Sequence, residues 1–157
     1  MTPPPRGGAG RFAIITSRFN ELITSRLAAG ARACLLEHGV PAGEITEVAV
    51  PGAWELPLAA RLMARQGFGG IVALGCVIRG DTPHFEFVAR AAADGLAQVS
   101  LAHDLPIGFG VLTTEDEQQA LARAGGREGN KGWEAALAAL EMAELKARLQ
   151  ADAPDPQ

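Results

Sequence analysis

Runs of apolar residues and stretches of helical periodicity take turns along this chain. Phe12-Ala13-Ile14-Ile15-Thr16 has the composition of a short buried strand and ends in a polar turn. Leu27, Ala31, Cys34 and Leu35 then recur at helical spacing, with Asn20 placed to cap that helix and Gly39 to end it. The pattern predicts a second strand over Ile45–Val50, stopped by Pro51-Gly52. A second helix follows over Trp54–Arg65, with Leu58, Leu62 and Met63 on one side. Gly69-Gly70 leads into a third strand, Ile71–Val77, and then a long helix from Pro83 to His103. Pro106 opens a fourth strand, Ile107–Leu112. Glu115–Arg123 reads as a short helix, Gly125–Gly132 as a Gly-rich break, and about Trp133 to Leu149 as the last helix. Glu144 and Arg148 stand four apart there, the spacing of a supporting pair on a wet face.

This alternation of strand and helix predicts a four-stranded parallel sheet with helices on both faces and right-handed crossovers. That is a flavodoxin-like, three-layer α/β arrangement. Ligands of such sheets bind at the carboxyl ends of the strands. Four polar turns leave those ends: Thr16–Asn20, Pro51–Glu55, Gly75–His84 and Thr113–Glu115. The third carries the most chemistry. Pro83 suits the first turn of a helix, so the backbone N–H groups near Asp81 and Thr82 point outward as an anion site. His84, beside that site, is of the residue type that gives or takes a proton near neutral pH. Phe19 and Trp54 either stack on a flat heterocycle or cover the core. Glu55 is either a ligand or a charge favoured by the helix start. Arg79 is open to a phosphate or to a nearby carboxylate. Arg123 and Lys131 flank the Gly-rich break, each open to a ligand or to solvent, and His38 and His103 read as structural or solvated.

Composition removes other classes. With 157 residues, 48% of them hydrophobic, the chain builds one ordinary core, and with only 5% aromatic residues that core packs closely through small side chains. A single domain is expected over residues 11–150, between flexible segments at 1–10 and 151–157. The net charge of −4, without a basic block, argues against nucleic acid. No apolar run approaches the roughly 20 residues that span a bilayer, so no membrane is expected. The Pro- and Gly-rich start lacks the apolar centre of a secretion signal. Cys34 and Cys76 lack metal-ligand spacing and read as reduced thiols of a cytoplasmic protein. No nucleophilic triad can be proposed from spacing. There is no Walker loop and no G-x-G-x-x-G after the first strand, which weakens nucleotide hydrolysis and dinucleotide binding as readings.

Several longer motifs occur together: Arg18-Phe19-Asn20, Pro51-Gly52-Ala53-Trp54-Glu55-Leu56-Pro57, Gly75 to His84, Phe109-Gly110-Val111-Leu112-Thr113 and Gly129-Asn130-Lys131-Gly132. In these, and from about Phe12 to Leu149, the chain resembles the 6,7-dimethyl-8-ribityllumazine synthase family of riboflavin biosynthesis. The resemblance implies a transferase, without metal or organic cofactor. It would condense 5-amino-6-(D-ribitylamino)uracil with 3,4-dihydroxy-2-butanone 4-phosphate. By matching position, Phe19 would stack on the pyrimidine. Ala53, Trp54 and Glu55 would line the pocket, and Cys76, Val77 and Ile78 would contact the ring mostly through backbone. Asp81 and Thr82 would hold the phosphate and His84 would transfer protons. Phe109 and Arg123 would arrive from a neighbouring subunit, with Asn20 and Lys131 in support.

The implied assembly is a homopentamer or a multiple of it, a decamer or a 60-subunit icosahedral capsid, and riboflavin synthase is an implied protein partner. Trp54 stands where the family often has Phe. Asp81 brings a carboxylate to the expected phosphate, to be offset by Arg79 or Arg123 or by turning away. The related archaeal-type riboflavin synthase is opposed by the long bacterial-style motifs. A shell protein without turnover is opposed by the presence of both His84 and Arg123.

Overall fold

A computed structural model describes residues 10–152. Its four main strands are β1 (Phe12–Ser17), β2 (Ile45–Val50), β3 (Gly70–Ile78) and β4 (Ile107–Thr114). They form one parallel sheet in the order β2-β1-β3-β4. Since every strand runs the same way, all four carboxyl ends emerge at one edge. The helices are α1 (Glu21–Glu37), α2 (Leu56–Ala64), α3 (His84–His103), α4 (Glu117–Ala122) and α5 (Lys131–Ala151). This is the flavodoxin-like α/β architecture that the alternation predicts.

Successive strand side chains point to opposite faces, and the two cores follow that alternation. Phe12, Ile14, Val72, Leu74 and Cys76 pack with Leu27, Ala31 and Leu35 of α1 and with Ala135, Ala136 and Leu140 of α5. Ala13, Ile15, Ile71, Ala73 and Val77 pack with Leu56, Ala60 and Met63 of α2 and with Ala92, Leu96 and Val99 of α3. Small residues allow the close approach of α1 and α5. A Cβ at Gly132 would collide with the Leu27 carbonyl, and one at Gly30 with the Asn130 side chain. Gly39, at φ 92°, ends α1 as predicted, and the next N–H, of Val40, donates to the Leu35 carbonyl at 3.0 Å.

Four predicted details change. The sheet-facing side of α2 is Leu56, Ala60 and Met63, while Leu58 and Leu62 face outward. This helix is apolar on two sides, and periodicity alone does not say which one meets the sheet. The Gly-rich break is a small antiparallel hairpin of β5 (Ala124–Gly126) and β6 (Gly129–Asn130). The last helix starts two residues earlier than predicted, because the Asn130 carboxamide oxygen accepts the N–H groups of Gly132 and Trp133 at 2.8 and 3.1 Å. Glu144 and Arg148 share the predicted spacing but form no ion pair among the described residues, where Arg32–Glu47 and Arg79–Glu115 are found. Of the segments expected to be flexible, only Gly10, Ala151 and Asp152 are described, and Ala151 still belongs to α5. No described helix is long and apolar enough to cross a membrane.

Candidate active site

The turns after β1, β2 and β3 meet around a cavity of about 450 Å³ at the carboxyl edge of the sheet. The first two turns are joined by backbone. Arg18 N–H donates to the Val50 carbonyl at 2.8 Å, and Phe19 N–H to Pro51 at 3.1 Å. Phe19 and Trp54 stand on the rim, 71% and 62% exposed. At that exposure neither ring covers the core, and each is open to stacking with a flat ligand. Ala53, Trp54 and Glu55 form a 3-10 turn before α2. The half-buried Glu55 carboxylate folds back towards Gly52, at the cavity wall.

Asn20 does not cap α1 with its side chain. Its backbone is left-handed, at φ 63° and ψ 50°, and this aims the carboxamide across the sheet edge. There Nδ2 donates to the Cys76 carbonyl at 2.9 Å. The Asn20 carbonyl instead receives the N–H groups of Ile23 and Thr24, both at 3.0 Å. One residue thus ties the Phe19 turn to the end of β3.

Cys76, Val77 and Ile78 line the cavity floor. Burial, with a smaller contribution from Glu117, pushes the Cys76 thiol up to about 11. Cys34 is likewise pushed up to about 11 by burial, then by Glu37 and Glu141. Thiolate is the reactive form, so neither cysteine is poised as a nucleophile. Past Ile78 the ladder gains one rung, Arg79 N–H to the Thr114 carbonyl at 2.9 Å. Gly80, Asp81 and Thr82 then run exposed, and their N–H groups find no backbone acceptor among the described residues. Pro83 takes the cap position and His84 is the first residue of the 20-residue helix α3, exposed at the cavity. Free N–H groups next to the positive end of a long helix form an anion-binding arrangement. Arg79 pairs with Glu115 at 2.9 Å, not with Asp81, so it does not offset that carboxylate. The cavity also uses Gly52, Gly80, Phe85 and Val88. Of these, Phe85 and Val88 lie outside the motifs; Phe85 directly follows His84, and the signal of Val88 is its i, i+4 spacing from His84.

Three predicted residues lie elsewhere in the same chain. Phe109 sits in the middle of β4, 42% exposed, beside a separate groove with Leu96 and Ile107. Arg123 ends α4 and donates from Nη1 to the Gln119 carbonyl at 2.9 Å, lining another groove with Arg26 and Arg127. Lys131 is exposed at the start of α5, and its N–H donates to the Arg123 carbonyl at 2.8 Å. Among the described residues no group of three or more His, Cys, Asp or Glu could hold a metal ion.

A parallel α/β sheet with an aromatic-rimmed, anion-ready cavity at its carboxyl edge defines a small-molecule-binding protein of the flavodoxin-like class. Within that class the particular family follows from the whole chain. The family model described as 6,7-dimethyl-8-ribityllumazine synthase matches residues 9–147, and the chain belongs to that family. It is therefore a member of a transferase family of riboflavin biosynthesis.

Proposed function

We propose that the protein condenses 5-amino-6-(D-ribitylamino)uracil with 3,4-dihydroxy-2-butanone 4-phosphate. The products are 6,7-dimethyl-8-ribityllumazine, phosphate and water, in the penultimate step of riboflavin formation. The observation that carries this reading is the meeting of four features in one cavity: an aromatic rim, a half-buried carboxylate, a loop with free N–H groups and a histidine. Phe19 stacks on the pyrimidine, and Ala53 and Trp54 wall the pocket. Glu55 accepts the ribityl hydroxyls. The backbone of Cys76, Val77 and Ile78 meets the edge of the ring. Asp81 and Thr82 take the phosphate through their N–H groups and the Thr82 hydroxyl.

The substrate amine is the nucleophile, which fits a pocket without an activated thiol. It attacks the ketone carbon to form an imine with loss of water. Phosphate then leaves, and the second amine closes the ring with loss of a further water. His84 moves the protons of these steps, a contribution of about 10²–10⁴-fold for a well-placed acid/base. Holding the two substrates in register supplies roughly 7–11 kcal/mol in well-oriented systems.

In this reading Phe109 and Arg123 reach the cavity of a neighbouring copy, with Lys131 close behind. The assembly is a homopentamer or a multiple of it, closed by cyclic symmetry. The outward apolar side chains Leu58, Leu62, Phe87 and Leu101 supply adhesive surface. The test mixes both substrates with pure protein and follows lumazine absorbance together with phosphate release. One phosphate per lumazine is expected, and no lumazine overturns the reading. Light scattering should give five copies or a multiple, and a monomer overturns the shared site.

A further inference from the structure

We propose that Arg79 is a positioning residue that fastens the anion-binding loop at both ends, through Glu115 on one side and Phe85 on the other. This rests on the function proposed above. The loop from Gly80 to Pro83 has little else to hold it. Its N–H groups are unpaired among the described residues, its side chains are exposed, and a Cβ at Gly80 would meet nothing within 4 Å. Arg79 stands at its start, and its backbone is fixed by the rung to Thr114.

The side chain then makes two contacts. Nε lies 2.9 Å from Glu115 Oε2 in an ion pair. The guanidinium carbon lies 5.3 Å from the centre of the Phe85 ring, within the range of a cation–π contact. Phe85 directly follows His84, so this stack joins the far end of the loop to its beginning. The anchor is itself held. Glu115 N–H donates to Gln119 Oε1 at 2.8 Å, and the buried Thr114 donates its hydroxyl to the Asp116 carbonyl at 2.9 Å. The turn after β4 lines none of the cavity, and through Arg79 it sets the place of the phosphate loop and of His84.

A direct phosphate ligand would be the rival role for this cation, and one substitution separates the two. Removing the Glu115 charge frees Arg79 for phosphate if it is a ligand, and loosens the loop if it is a strut. We expect Arg79→Met and Glu115→Gln each to raise KM for the butanone phosphate about three- to tenfold, the size of an exposed ion pair with a cation–π contact. Both should lower kcat and leave KM for the uracil in place, and the double variant should be no worse than Arg79→Met. Arg79→Lys, which lacks the planar fork, should not restore the wild-type values.

A lower KM for the phosphate substrate in Glu115→Gln overturns the proposal, as do unchanged constants in both single variants or equal losses for both substrates. If the wild type makes no lumazine, the proposed function fails separately, and amide exchange still reads the strut. Exchange at the hydrogen-bonded amides that flank the loop, those of residue 79 and Glu86, should be faster in Arg79→Met, and unchanged exchange overturns it.

Discussion

The cavity at the ends of β1, β2 and β3 and the region running from β4 through α4 into α5 both carry residues of the family pattern, yet they differ in completeness. The first gathers Phe19, Trp54, Glu55, Cys76 and His84 around one space within one chain. The second leaves Phe109 and Arg123 in separate grooves, with Lys131 exposed nearby. The reason is topological. β4 is the edge strand next to β3, and Phe109 faces Ala73 in the middle of the sheet rather than at its carboxyl edge. No rotamer change carries a mid-strand side chain to the end of the neighbouring strand. Under the proposed function, residues of one reaction that cannot meet in one chain call for a second copy.

Four substitution experiments break or sharpen that contrast. The largest effect is expected in the complete region: His84→Ala should lower kcat about 100-fold or more while KM for the uracil changes little. An unaltered kcat would remove His84 as the proton carrier. Next, Arg123→Ala should raise KM for the butanone phosphate about tenfold, the loss of a charge-assisted contact. A matched rise for the uracil would argue against a phosphate contact. Third, subunits of these two variants, unfolded and reassembled together, should recover activity at limiting butanone phosphate above the mean of the two assembled separately, because about a quarter of randomly mixed cyclic interfaces pair an intact His84 with an intact Arg123. No recovery in mixed particles of proven composition would place the whole site in one chain. The smallest effect belongs to Asn20→Ala. It should cost about 1 kcal/mol in chemical denaturation for the lost bond to Cys76 and weaken uracil binding by less than the Arg123 change weakens phosphate binding. Full stability would mean that the tie between the two turns carries no weight.

The two regions were also unequally legible. In the cavity, the strand-end rule places the turns that carry Phe19, Trp54 and Asp81–His84 at one edge, since parallel strands put all their exits there, and the family resemblance adds Cys76–Ile78. Asn20 has the residue type of a cap, but a left-handed backbone turns its carboxamide towards β3. In the second region the glycines read as a break. Gly132 instead lets α5 press on the Leu27 carbonyl, and Asn130 serves as the cap and also donates to the Arg26 carbonyl at 3.1 Å. The misassigned side of α2 has the same origin: Leu58 and Leu62 are as apolar as Leu56, and only the position of the sheet chooses between them.

By itself, the sequence determined the alternating elements, hence the parallel sheet, its carboxyl edge and the residue types gathered there. Local periodicity and turn chemistry act over a few residues and are written directly in the chain. Tertiary structure alone decided that Arg79 turns to Glu115 and Phe85 rather than to Asp81, and that Asn20 reaches Cys76. It also decided that Phe109 and Arg123 stay outside the cavity of their own chain. Apart from the Arg79–Phe85 stack across one loop, these depend on segments far apart in sequence, set by sheet order and strand register, and no pattern of neighbouring residues encodes the distance between two such segments.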